Sequence, residues 1–147
     1  MPGPEALRRR EYYGFPGNHF WHVLPEIFKA PPPSNYREKI RLLKEHRVAV
    51  WDVAKSCTRR GASDSTMRDV MPNDISRLIR RYPNLRTIFV NGKKAEKLFN
   101  QYFGKTIKIP VYYLPSTSPA HASMPYKKKL EKWARIKPCL VNRNPWC

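Results

Sequence analysis

Thr87-Ile88-Phe89-Val90-Asn91-Gly92, a helical pattern to about Phe103, and then Ile109-Pro110-Val111-Tyr112-Tyr113-Leu114 form the stretch that decides the fold. Both flanking runs are short, apolar and rich in β-branched or aromatic residues, the signature of strands buried on both faces. Between them Ala95, Leu98, Phe99 and Tyr102 recur at helical spacing, which gives one inward face. Pro110 stands near the start of its run, where a strand tolerates it. Strand, helix, strand at this spacing reads as a βαβ unit with parallel strands.

The same alternation extends outward. Val48-Ala49-Val50-Trp51-Asp52 reads as a further buried strand, preceded by a helix from Asn35 to about His46 that Ser34 can cap. A helix is expected from about His19 to Lys29, with Pro25 as a kink or break. Val53 to Met71 reads as loop, Asn73 and Asp74 open another helix, and Pro125 opens the last one. Lys137 to Cys147 reads as a tail, so the expected division is one domain over residues 1–137 and a tail over 138–147. The expected fold class is α/β: a three-layer α/β/α sandwich around a small, mostly parallel sheet. Three strands make a thin sheet, which leads us to expect a first strand upstream of Met1.

In such sheets, sites form beyond the carboxyl ends of the strands. The loops after Asp52, Asn91 and Leu114 therefore carry the search for chemistry. Leu114-Pro115-Ser116-Thr117-Ser118-Pro119-Ala120-His121-Ala122 combines small residues, hydroxyls and two prolines, a stiff loop able to bind phosphate oxygens. Tyr12-Tyr13-Gly14-Phe15-Pro16-Gly17-Asn18-His19-Phe20-Trp21 packs five aromatic residues around a Pro-Gly turn. Two readings of Asn18 stand: a cap above a buried aromatic helix, or an amide orienting water beside rings that hold a flat ligand. Asp64, in the basic loop Arg59 to Ser65, fits a base edge, a local cap or an ion pair with Arg59 or Arg60 equally well.

Charge narrows the partner. Lys and Arg number 29 against 11 Asp and Glu, so the net charge is 29 − 11 = +18. A chain so basic, with 41% hydrophobic residues to build a core, calls for an anionic partner, and nucleic acid is the first candidate. No apolar run approaches a membrane span, and no apolar signal segment opens the chain. The scattered Cys57, Cys139 and Cys147 suit a reducing cytoplasm and cannot by themselves supply an iron–sulfur cluster. Walker, GxGxxG and HExxH motifs are absent, so we expect no cofactor and no metal. A neutral amide, flat rings, stiff loops and positive charge suit the binding of an extruded base and cleavage of its glycosidic bond.

Taken together, these segments resemble the uracil-DNA glycosylase superfamily. Tyr12 to Trp21 looks like its aromatic segment. Val50-Trp51-Asp52-Val53 with Ser56-Cys57 and Gly61-Ala62-Ser63-Asp64-Ser65 looks like its middle segment, and Leu114 to Ala120 like its DNA-pinching loop. The nearest branch is the deoxyinosine (hypoxanthine) glycosylases, then the mismatch-specific uracil/thymine branch. Met1-Pro2-Gly3 matches the end of the latter's first motif, with Met where that branch carries its water-positioning Asn. The resemblance implies that Asn18 serves as the catalytic amide instead, a role compatible with capping. It implies base contacts from Tyr12, Tyr13, Phe15, Asp64 and Ser65, and DNA contacts from Ser116, Thr117, Ser118, His121, Lys127 and Lys128. The expectation is a monomeric, cytoplasmic, nucleoid-associated monofunctional glycosylase acting on double-stranded DNA with a damaged base. Hypoxanthine is the favoured base and uracil a second. The alternatives are a nucleic-acid-binding module of the same fold without catalysis and, third, a metal-dependent nuclease.

Overall fold

The computed structural model describes residues 3–58 and 66–140. In chain order the elements are α1 (Pro4–Arg9), α2 (Phe20–Phe28), α3 (Tyr36–Glu45), β1 (Ala54–Thr58), β2 (Arg68–Pro72), α4 (Ile75–Arg81), β3 (Ile88–Asn91), α5 (Lys93–Phe103), β4 (Val111–Leu114), α6 (Tyr126–Trp133), a 3-10 turn (Ala134–Ile136) and α7 (Lys137–Leu140).

The βαβ unit forms as expected. β3 and β4 pair in parallel from Ile88 opposite Val111 to Asn91 opposite Leu114. The ladder is prolonged by Ile88 N–H to the Pro110 carbonyl and Gly92 N–H to the Leu114 carbonyl, each at 2.9 Å. Side chains on successive strand positions face opposite ways, and here they enter two different cores. Phe89 and Leu114 pack with Phe20, Trp21, Leu24, Ile27, Trp133 and Ile136 of α2, α6 and the turn after it. Ile88, Val90 and Val111 pack with Ile75 of α4 and with Phe99 and Phe103 of α5. The small sheet is thus covered by helices on both faces, which is the three-layer α/β/α arrangement.

Several local expectations change. Pro25 does not break α2, which continues to Phe28. The helix gives up one backbone bond, but Phe20, Trp21, Val23, Leu24 and Ile27 are all buried, and that packing outweighs the loss. The cap of α3 is Asn35, not Ser34: Asn35 Oδ1 accepts from Glu38 N–H at 2.9 Å. Glu38 reaches back past the cap to accept from Ser34 N–H at 2.7 Å and Oγ–H at 2.9 Å, a variant of the capping box shifted one residue toward the N-terminus.

The Val48–Asp52 segment is not a strand. It keeps a strand's alternation, with Val48 and Val50 on the α2 core and Ala49 and Trp51 exposed. Among the described residues, however, it has no ladder partner. The stretch read as loop from Val53 to Met71 instead contains an antiparallel pair, with Ala54 opposite Pro72 and Thr58 opposite Arg68. Ala-Lys-Ser-Cys-Thr has little intrinsic strand preference. The pair is held by tertiary packing, with Ala54, Met67 and Leu98 as its buried cluster and Tyr102 Oη–H donating to the Val70 carbonyl at 3.0 Å. The chain after Lys137, read as tail, stays helical to Leu140. Among the described residues no helix is long and apolar enough to cross a membrane.

Candidate active site

The carboxyl ends of β3 and β4 meet at a side chain that sequence reasoning treated only as the end of a strand. Asn91 Nδ2 donates to Tyr13 Oη and to Thr117 Oγ1, both at 3.0 Å, and Asn91 Oδ1 accepts from Thr117 N–H at 3.1 Å. Both amide hydrogens are used. Asn91 is therefore a clamp, joining the end of β3, the aromatic segment and the loop after β4. The signal was present: a lone amide at the carboxyl end of an apolar strand is where α/β sheets build sites.

Gly92 makes the approach of these loops possible. Its φ is +89°, and a Cβ there would lie 3.0 Å from Ser116 Cβ. Thr117 closes the network from the other side. It is fully buried, and its carbonyl accepts from His19 N–H at 2.9 Å. Thr117, expected to touch DNA through its hydroxyl, instead turns that hydroxyl to Asn91. Its contribution is to hold the segment that carries Asn18 against the loop after β4.

Asn18 is half-buried, one residue from that contact. The N-cap position of α2 is His19, and Asn18, one residue earlier, accepts from the first helical N–H, that of Phe20, through its Oδ1 at 3.0 Å, an Asx turn leading into the helix. An amide oxygen has two lone pairs, and one bond leaves a second for a water hydrogen. Tyr13 is held in the left-handed region at φ 53°. Its ring stacks on Phe20 at 4.0 Å, so that face is already occupied. Burial pushes its phenol up to about 12, with the Asn91 hydrogen bond pulling the other way. Tyr12 lies partly buried against the α2 core, and its carbonyl accepts from Trp21 Nε1–H at 2.8 Å. Phe15 differs from both: it is 52% exposed, with its ring open to a ligand.

The serine loop is internally braced. Ser116 Oγ accepts from Ser118 N–H at 3.2 Å, and Ser118 Oγ accepts from Ala120 N–H at 3.3 Å. The backbone N–H groups of Ser118 and Ala120 are thus spent inside the loop. Each serine, accepting through its Oγ, keeps a hydroxyl hydrogen for an anion. His121 is half-buried and closes the turn through its N–H to the Ser118 carbonyl at 3.1 Å. Trp133 Nε1–H ties α6 to the loop through the Pro115 carbonyl at 2.9 Å.

On α6, Lys127 and Lys128 are exposed, as a phosphate-facing surface requires, but Lys129 is 1% exposed. Its ammonium reaches the Ser118 carbonyl at 3.5 Å. Burial lowers its pKa, and burial together with the neighbouring Lys129 and His22 charges lowers that of His19. His19 rests edge-on against Tyr126, with its Nδ1 buried and unpaired. Tyr126 in turn donates to Glu26, and burial followed by that carboxylate raises its phenol pKa. Asp64 and Ser65 lie outside the described residues. Among the described residues no group of three or more His, Cys, Asp or Glu is gathered as a metal-binding set.

Known proteins are similar to this chain in sequence and in fold. The family model described as the uracil DNA glycosylase superfamily matches residues 1–138. A hypoxanthine DNA glycosylase from Methanosarcina acetivorans is 34% identical over 137 residues, covering 92% of this chain and 85% of that protein. One from Methanosarcina barkeri is 38% identical over 96 residues, covering 65% of this chain and 61% of its own length. A solution NMR structure of a candidate uracil DNA glycosylase from Methanosarcina acetivorans superposes with a TM-score of 0.79 at 33% identity, over 95% of this chain and 85% of that one.

Proposed function

The chain belongs to the uracil DNA glycosylase superfamily, and from that premise we propose that it hydrolyses the N-glycosidic bond of a deaminated base in duplex DNA. Hypoxanthine is the favoured base, in keeping with the names of two relatives, and uracil is a second substrate. The chain acts as a monomer, by base flipping and water attack at C1′, without a covalent lysine step.

Positive charge brings the duplex in without sequence preference. Ser116, Ser118 and His121 press on the backbone while Lys127 and Lys128 meet flanking phosphates. The damaged nucleotide leaves the stack and rests against Phe15, bordered by Tyr12 and Tyr13. Asp64 and Ser65 read its edge. Asn18 is too weak a base to remove a proton, but its Oδ1 holds a water in line with C1′ as the glycosidic bond loosens. The cationic sugar is stabilised by the phosphates around it, and backbone donors take up charge on the departing base.

The observation that carries this reading is the bond between His19 N–H and the Thr117 carbonyl at 2.9 Å. It supports placing the Asn18 amide and the serine loop around one mouth. The test is incubation with duplexes carrying a single hypoxanthine or uracil, with chelator and without, followed by assay of free base and of strand breaks. Free base released equally in both conditions, with the sugar–phosphate chain intact, is expected. Strand cleavage lost on chelation, or duplex binding with no base released, refutes it.

A further inference from the structure

Lys129 is a buried cation for which the described residues provide no counter-charge. It is 1% exposed, and among the described residues no ion pair includes it. The hydrogen bond from its ammonium to the Ser118 carbonyl is long at 3.5 Å, and that carbonyl is already engaged by His121 N–H at 3.1 Å. An ammonium withdrawn from water and left unpaired costs stability. The neighbouring imidazole does not relieve it: His19 Nδ1 is itself buried without a partner. A chain with 29 Lys and Arg has no need of one more cation for net charge, and its other described α6 lysines need not be buried.

The position explains the cost. Lys129 reaches the backbone of the Ser118–His121 turn, through the same Ser118 carbonyl that closes the turn. We infer that Lys129 is a positioning residue for the DNA backbone. Its buried charge supplies, from beside the turn's backbone, the attraction that fixes a phosphate on Ser118 and His121. Bound DNA is then the missing counter-charge: the unfavourable field inside the free protein becomes favourable once an anion sits above the turn. Shielded from water, this charge acts with less screening than that of Lys127 or Lys128. The inference rests on the reading of the loop after β4 as the DNA-gripping element.

Three variants separate the possibilities. Lys129→Met keeps an unbranched side chain of similar length and removes the charge. Lys129→Gln keeps a donor for the Ser118 carbonyl without the charge, and Lys129→Arg keeps the charge. Thermal unfolding is measured for each, together with affinity for a hypoxanthine-containing duplex over a range of salt. The expected result is that Lys129→Met and Lys129→Gln melt at or above the native temperature yet bind roughly 5- to 10-fold more weakly. Their slope of log affinity against log salt should be shallower by roughly 0.5 to 1, while Lys129→Arg keeps the native slope. Native affinity and slope in both neutral variants overturn the inference. Unfolding of both also overturns it, because the charge would then support the fold instead of burdening it. Base release by the unaltered chain tests the glycosylase reading separately; the slope difference is read from binding alone.

Discussion

Replacing Asn91 by alanine is the perturbation whose cost can be worked most directly from the structure. The substitution removes donations to Tyr13 Oη and Thr117 Oγ1 and the acceptance from Thr117 N–H. At about 1 kcal/mol net for each bond, the direct loss is about 3 kcal/mol. Thr117 is fully buried, so its stranded N–H adds roughly 1–2 kcal/mol of unrecovered desolvation. The total of about 4–5 kcal/mol is a large share of the roughly 5–15 kcal/mol that holds a domain folded, and it corresponds to a melting point lower by about 10–15 °C. Asn91→Asp provides the control. A carboxylate accepts from Thr117 N–H and from both hydroxyl hydrogens once these rotate, so most of the network survives. That variant should melt closer to the native chain than the alanine variant does, yet bind DNA more weakly because it sets a negative charge at the mouth. Urea unfolding and duplex-binding titrations on both variants supply the numbers. A loss below about 1 kcal/mol in Asn91→Ala would refute the claim that this side chain clamps the two loops.

Three further outcomes follow from the same geometry. The Tyr13 phenol titrates near 10 when unfolded and is pushed up to about 12 when folded, so its contribution to stability is full below pH 10 and declines as pH rises toward 12. Tyr126, raised in the same direction, shares that limb, so Tyr13→Phe should flatten the alkaline fall in stability without abolishing it; an unchanged profile in pH-dependent unfolding contradicts the assignment. Phe15→Ala should weaken damaged-duplex binding and slow base release while leaving the melting temperature within about 2 °C, since the ring is half in solvent; a large drop in melting temperature would mark it as core. Asn35→Ala should cost about 1 kcal/mol of unfolding free energy by removing the α3 cap, and Ser34→Ala distinctly less; the reverse order in urea unfolding would restore Ser34 as the cap.

What could be read in advance follows physical lines. Thr87 to Leu114 was legible because periodicity, length and punctuation agree there. Val48 to Asp52 has the same apolar character, but strand identity also needs a ladder partner, and pattern cannot supply one. Ala54 to Thr58 was illegible for the opposite reason: its pairing is imposed by Met67, Leu98 and Tyr102, residues distant in sequence. Lys129 escaped because three consecutive lysines read as one solvated face, whereas a helix turns the third of them inward beside Trp133 and His19. The loops of the site were recognised as segments, but the duties within them were not. Nothing local says that Thr117 faces inward while Ser116 and Ser118 keep hydroxyl hydrogens to spare. That division depends on Asn91, which stands 26 positions before Thr117 and 78 after Tyr13.

The central claim is that a neutral amide at the mouth directs solvent at the sugar. Its most direct test is the single-turnover rate of hypoxanthine release by Asn18→Ala, with enzyme saturating and duplex affinity measured alongside. The account predicts a rate lower by roughly 100-fold or more with affinity nearly unchanged. Loss of the bond to Phe20 N–H should cost only about 1 kcal/mol of stability. Release at the native rate from a folded Asn18→Ala chain would contradict the account.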